Sequence, residues 1–93
     1  MAATVYFLRL SSGALYIGCT ENLELRLADH ATGQGGRTTR LDPLMALLHQ
    51  ELFSTLAAAR RREAQLKRWS RAKKYALIRG DAVTLRALSR SRD

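Results

Sequence analysis

Only one cysteine, Cys19, occurs in the sequence. A lone cysteine cannot close an internal disulfide or build a cluster of thiolate ligands, so a reducing compartment, the cytoplasm, is expected. No apolar run reaches the ~18 residues that a membrane-spanning helix needs. No basic stretch leads into a long apolar segment at the N-terminus, so no secretion signal is expected. Internal repeats are absent, and Pro43 is the single proline. Acid is scarce: eight Asp+Glu stand against sixteen Lys+Arg, a formal charge of +8. Such an excess favours a polyanionic partner, nucleic acid ahead of an acidic membrane surface. A hydrophobic content of 46% excludes wholesale disorder. The length, 93 residues, predicts one domain over 1–93 with a modest core.

The β-branched and aromatic residues concentrate at the start. TVYFLRL (4–10) and ALYIGC (14–19) flank Ser11-Ser12-Gly13, which has the chemistry of a turn. This pattern predicts a β-hairpin with one tyrosine on each arm, Tyr6 and Tyr16. Thr20 stands where a helix N-cap is expected, with Glu21 after it, and Leu23, Leu27 and Ala31 recur at helical spacing. A helix over about 21–32 follows, stopped at Gly33. GQGGRTTRLDP (33–43) is a loop carrying Arg37 and Arg40. MALLHQELF (45–53) fits a strand or a helix by periodicity; a hairpin needs a third strand for independent stability, which favours a strand. Ser54 or Thr55 then caps a second helix, rich in good helix formers, that runs to about Lys74 or beyond. Gly80-Asp81 separates it from a short last helix with Val83, Leu85 and Leu88. The expected fold is α+β: a small three-stranded antiparallel sheet flanked by helices, in the order β-β-α-β-α-α.

Three features of these elements carry candidate chemistry. Arg26 and His30 are i,i+4 neighbours beside the apolar stripe of the first helix. They are placed either to meet a phosphate or, more plainly, as a snorkelling arginine and a hydrogen-bonded histidine at a helix end. Glu63 falls inside the apolar arc of the second helix. A carboxylate there is either paired, with Lys67 four residues on, or binds a metal. Arg60, Arg61, Arg62, Lys67, Arg68, Arg71, Lys73 and Lys74 make up eight of the sixteen basic residues. That run dominates the net charge and suits attraction to a phosphate backbone. Trp69 lies among them, to stack on a base or to join the core. Cys19 reads as an inert thiol, His49 has no partner at ligand spacing, and GQGG is too short and wrongly placed for a phosphate-binding loop.

Taken together, YIG at Tyr16-Ile17-Gly18, TVY at 4–6, Arg26 and His30 in GCTENLELRLADHATGQGG, and Glu63 in ARRREAQLKRWSRAKKYALI resemble the GIY-YIG nuclease domain. The likeness covers about residues 4–88 and is greatest to its small stand-alone bacterial members. Thr4 replaces the first glycine of the signature, Thr38 and His49 stand where this group often has aromatics, and no additional DNA-binding domain is expected. The resemblance implies a catalytic set of Tyr6, Tyr16, Arg26, His30 and Glu63. Glu63 would hold one divalent metal, Mg²⁺ or Mn²⁺, Arg26 would stabilise charge on phosphorus, and Tyr6 or His30 would activate water. Arg37, Arg40, Lys67, Arg71, Lys73 and Lys74 are the expected nucleic-acid contacts.

The implied activity is metal-dependent endonuclease cleavage of DNA in repair, recombination or processing of foreign DNA. Single-stranded or branched DNA is favoured, because few elements remain to read a duplex groove, and a protein partner could supply specificity. The competing class is a non-catalytic nucleic-acid-binding module that kept the fold and the charge. Retention of Tyr6, Tyr16, Arg26 and Glu63 together separates the two.

Overall fold

The structure, a computed structural model, describes residues 1–31 and 44–90. Strands β1 (Ala3–Leu10), β2 (Leu15–Thr20) and β3 (Leu44–Phe53) form one antiparallel sheet in the order β2-β1-β3. Helix α1 (Leu23–Ala31) follows the hairpin, and α2 (Leu56–Lys67), α3 (Arg71–Arg79) and α4 (Ala82–Arg90) follow β3. The expected α+β architecture and the third strand are both present. Four helices are described, one more than the sequence predicts.

The turn between β1 and β2 closes where Gly13 adopts φ +91°, a conformation most side chains disfavour. Its amide donates to the Leu10 carbonyl at 2.9 Å, and the Leu10 amide donates to Ala14 O at 2.9 Å. This pairs Arg9 with Leu15 and, further along, Tyr6 with Gly18.

Alternation along β1 divides the core between the two sheet faces. Ala3, Val5 and Phe7 pack with Ile17, Ala59 and Leu66, against α2 and α3. Tyr6, Leu8 and Leu10 pack with Tyr16, Leu23 and Leu27, against α1. The central strand is thus buried on both faces, and β2 lies at an edge between the helical layers.

Two expectations of local structure are corrected. Thr20 does not cap α1: its Oγ1 accepts from the Asn22 amide at 3.0 Å, which turns the chain. Asn22 is the cap instead, Oδ1 accepting from the Leu25 amide at 3.0 Å, and the acid in the first turn is Glu24. The single long helix ending near Lys74 is two helices. Arg68 closes α2, and the Ser70 hydroxyl caps α3 by accepting from the Lys73 amide at 3.1 Å. A serine that satisfies a free amide of a new helix competes well with continuation of the old one.

The bend at 68–70 lets Trp69 fold onto the core. Arg62 lies 5.2 Å and Lys73 Nζ 4.3 Å from its ring centroid. Arg62 also grips Glu51 of β3 through Nε–Oε1 at 2.8 Å and Nη2–Oε2 at 3.2 Å, while His49 Nε2 lies 2.9 Å from Glu51 Oε2. Burial pushes the Glu51 carboxyl up, but these hydrogen bonds and charges outweigh it and hold its pKa below the usual carboxylate value. The network fixes α2 against β3 and so sets where the other edge of α2 meets β2.

Candidate active site

Gly18 decides how the tyrosines sit. It pairs directly with Tyr6, and a Cβ on it would lie 2.6 Å from Tyr6 Oη and 3.3 Å from Tyr16 Cε1. The missing side chain lets the Tyr6 ring lean from the central strand over β2. The two phenol rings stack with centroids 6.4 Å apart. His30, from the last turn of α1, closes the group edge-on, 6.0 Å from Tyr6 and 5.1 Å from Tyr16. Tyr6 Oη and His30 Nε2 share a hydrogen bond of 3.2 Å.

Tyr6 and His30 are buried and Tyr16 is half-buried. Burial, and then the neighbouring Tyr16, push the Tyr6 phenol well above its ordinary pKa, while Arg26 pulls it down. Burial, and then the Arg26 charge, hold the His30 imidazole below its ordinary value. The pair at rest is therefore a phenol and a neutral imidazole. Nδ1 of His30 has no partner among the described residues.

On the opposite face of the β2 edge, Cys19 meets α2. Its thiol donates to Glu63 Oε1 at 3.5 Å, and Lys67 Nζ lies 3.3 Å from Glu63 Oε2. Burial, and then the Glu63 charge, raise the Cys19 pKa, with Arg60 opposing. Glu63 and Cys19 also raise the pKa of Tyr6, while Arg26 lowers it, so charges on both sides of β2 bear on one phenol. Between the layers opens a cleft of about 260 Å³, lined by Cys19, Thr20, Glu21, Asn22, Arg26, Leu56 and Arg60.

Residues 2–76 match the GIY-YIG catalytic domain. The chain belongs to the GIY-YIG family. A UPF0213 protein of Natronomonas pharaonis is 42% identical over 74 residues, 80% of this chain and 87% of its own. One from Staphylococcus saprophyticus is 36% identical over 74 residues, 80% and 90% of the two chains. The solution structure of a UPF0213 protein from Bacillus halodurans superposes with a TM-score of 0.57 at 33% identity, over 87% of this chain and 86% of that one. These relatives are small GIY-YIG proteins, and their names carry no activity or substrate. Membership places this chain in a nuclease family that binds DNA and generally uses a divalent metal.

Within this GIY-YIG domain the expected site residues divide into two groups. Tyr6, Tyr16 and His30 are in mutual contact. Glu63 stands apart from them across the β2 edge, and Arg26 lines the cleft while its charge reaches both Tyr6 and His30. His30 is a buried, hydrogen-bonded histidine at the end of its helix, and its partner is Tyr6. Glu63 has the expected pair with Lys67 and meets the Cys19 thiol.

Among the expected nucleic-acid contacts, Lys67 and Arg71 are exposed and Lys74 is half-buried. Arg71 stacks on Tyr75 at 5.2 Å and reaches Gly13 O at 3.4 Å. Lys73 is 8% exposed, with Nζ over the Trp69 ring, and so packs where the other lysines of the run reach solvent. Arg37 and Arg40, with the glycine-rich loop, lie outside the described residues.

Sequence reasoning missed Cys19 and Arg60 as lining residues. The alternation of β2 held the signal for Cys19: Tyr16 and Gly18 share one face, and Ile17 and Cys19 the other.

GIY-YIG nucleases generally use a divalent metal, and the described residues offer it few ligands. Among the described residues no group of three or more His, Cys, Asp or Glu side chains comes together. Glu63, against the Cys19 thiol of the cleft lining, offers one carboxylate, and a small hard cation that keeps most of its waters needs little more from protein. Its present partners are an exposed lysine and a weak thiol donor, which a cation would displace at low cost.

Proposed function

We propose that the protein is a metal-dependent endonuclease that hydrolyses phosphodiester bonds in single-stranded or branched DNA. The observation that carries this reading is the Tyr6–His30 hydrogen bond held beneath Tyr16, with Arg26 beside it.

The proposed division of labour follows from these states. Neutral His30 accepts the Tyr6 proton at Nε2 as Tyr6 Oη takes one from the attacking water, so neither group carries a free charge at rest. Burial makes a lone phenolate costly, and the coupled transfer avoids one. Arg26 presents a planar guanidinium to the phosphate and stabilises the charge that develops on it. Tyr16, half-exposed, packs on both and fixes their angle. Glu63 would hold the divalent cation, which supplies Lewis-acid polarisation of the phosphate and stabilises the leaving oxygen. Lys67 leaves Glu63 for the backbone of the substrate. The favoured substrate follows from size: a small domain has few elements to read a major groove, whereas a single strand needs only a short charged surface.

The experiment is a panel of single-stranded, duplex, flap and junction DNAs incubated with Mg²⁺ or Mn²⁺. Cleavage of the single-stranded or branched members, abolished by EDTA, is expected. Binding without cleavage of any member in either metal would return the protein to the class of binding modules.

A further inference from the structure

Arg60 has no assigned role, yet it is the one cation of α2 that lines the cleft. Arg26 of α1 lines the same cleft, so two arginines on different elements border one recess. Among the described residues neither takes part in an ion pair. Arg60 instead acts on the Cys19 thiol, and Glu63 follows it by one turn on the same side of α2. The remaining lining is Cys19, Thr20, Asn22, Leu56 and one acid, Glu21. Glu21 is exposed and free to turn to water. Two arginines without a carboxylate partner, converging on about 260 Å³, make a site for a tetrahedral oxyanion that is itself part of a chain.

We propose that this cleft is a phosphate subsite, in which Arg60 anchors the backbone phosphate adjacent to the one being cleaved. Arg26 stands at the boundary between the two phosphates. The substrate strand thereby enters along the edge of β2, with its sugar-phosphate chain between α1 and α2. The inference rests on the nuclease reading only for what happens to the neighbouring phosphate; occupancy of the cleft needs neither metal nor cleavage. Arg60 is a positioning residue.

The sequence supplies its own reporter. Cys19 lines the cleft and is the only cysteine of the chain, so a thiol reagent reads this recess alone. The experiment is alkylation of the intact protein by iodoacetamide in EDTA, with and without a short single-stranded oligonucleotide. At a free oligonucleotide concentration about ten times the dissociation constant, the alkylation rate should fall about tenfold. Arg60→Gln should weaken oligonucleotide binding by about tenfold, as expected for a lost charge-assisted contact. Arg86→Gln, the same charge change on an exposed residue of α4, should weaken it much less. Thermal unfolding of each variant shows whether it is folded. Alkylation that proceeds at the same rate under saturating oligonucleotide would overturn the proposal, as would equal losses from the Arg60 and Arg86 variants. A protein that never cleaves but protects Cys19 would leave the subsite standing and remove only the nuclease reading.

Discussion

At the scale of single residues, the site turns on an absent side chain and a buried ring. Gly18→Ala would put a methyl group 2.6 Å from Tyr6 Oη, closer than a real methyl contact allows. The phenol must swing away, breaking its bond to His30. Overpacking of this kind costs about 1–3 kcal/mol, so a lower urea midpoint is expected together with loss of cleavage. A Gly18→Ala variant that keeps the native stability and rate would mean that the Tyr6 ring can shift without cost. His30 gives a second test, through pH. Its pKa in the fold lies below its ordinary value, so the unfolded chain binds the proton more readily. The contribution of His30 to stability is fully present above pH ~6.5 and is lost as pH falls through that value toward the folded pKa. Unfolding midpoints measured from pH 8 to pH 5 should therefore drop on the acid side, and His30→Gln should remove part of that drop. An identical profile for the two proteins would contradict a buried neutral imidazole. The tyrosines, Arg26, His30 and Glu63 are all legible in the sequence because each lies in a short motif. Their separation into two groups across β2 is not, since it depends on which face of one edge strand each helix covers.

At the scale of elements, legibility follows the strength of the periodic signal. The hairpin declares itself through two apolar runs around Ser11-Ser12-Gly13, and the third strand follows from the need to cover it. Both corrected boundaries involve hydroxyl or amide side chains that choose between neighbouring amides. Thr20 bonds the Asn22 amide and passes the cap onward; Ser70 starts a helix inside a run of good helix formers. No propensity scale separates those choices, because each is decided by where the chain must go next. The packing role of Lys73 is hidden in the sequence for the same reason: only the bend at 68–70 brings it over Trp69. A contrast between adjacent lysines tests this. Lys73→Ala should lower stability by about 1 kcal/mol through loss of the cation–π contact. Its effect on the salt dependence of DNA binding should be small. Lys74→Ala should do the reverse, changing the binding slope with little effect on the thermal midpoint. If Lys73→Ala flattens the slope while stability stays unchanged, the lysine reaches solvent and the packing role is wrong.

At the scale of the whole molecule, the net charge of +8 and the position of the site act together. Arg26 and Arg60 line the cleft beside Cys19, so under the proposed function the overall attraction to a polyanion would bring it toward that recess. Affinity for single-stranded DNA should fall linearly on a logarithmic plot against salt, by about 0.7 in slope for each phosphate neutralised. Binding that ignores salt between about 50 and 200 mM, measured by fluorescence anisotropy, would mean that base stacking and not charge holds the strand. Composition alone makes this property readable. It cannot distinguish an enzyme from a basic binding protein, because both need the same charge.

That distinction rests on Glu63, the one acid of a cationic helix, which meets the Cys19 thiol. Removing it takes negative charge from a surface that attracts DNA, so binding should hold or strengthen. Removing it also takes away the carboxylate that would hold the divalent cation, so hydrolysis should stop. The decisive measurement is single-turnover cleavage and DNA affinity of Glu63→Ala beside the native protein, on one substrate at one salt concentration, with Mg²⁺ or Mn²⁺ present. The account predicts cleavage lost by at least about 10²-fold with affinity equal or higher. Cleavage at the native rate, or a fall in cleavage matched by an equal fall in affinity, would contradict it.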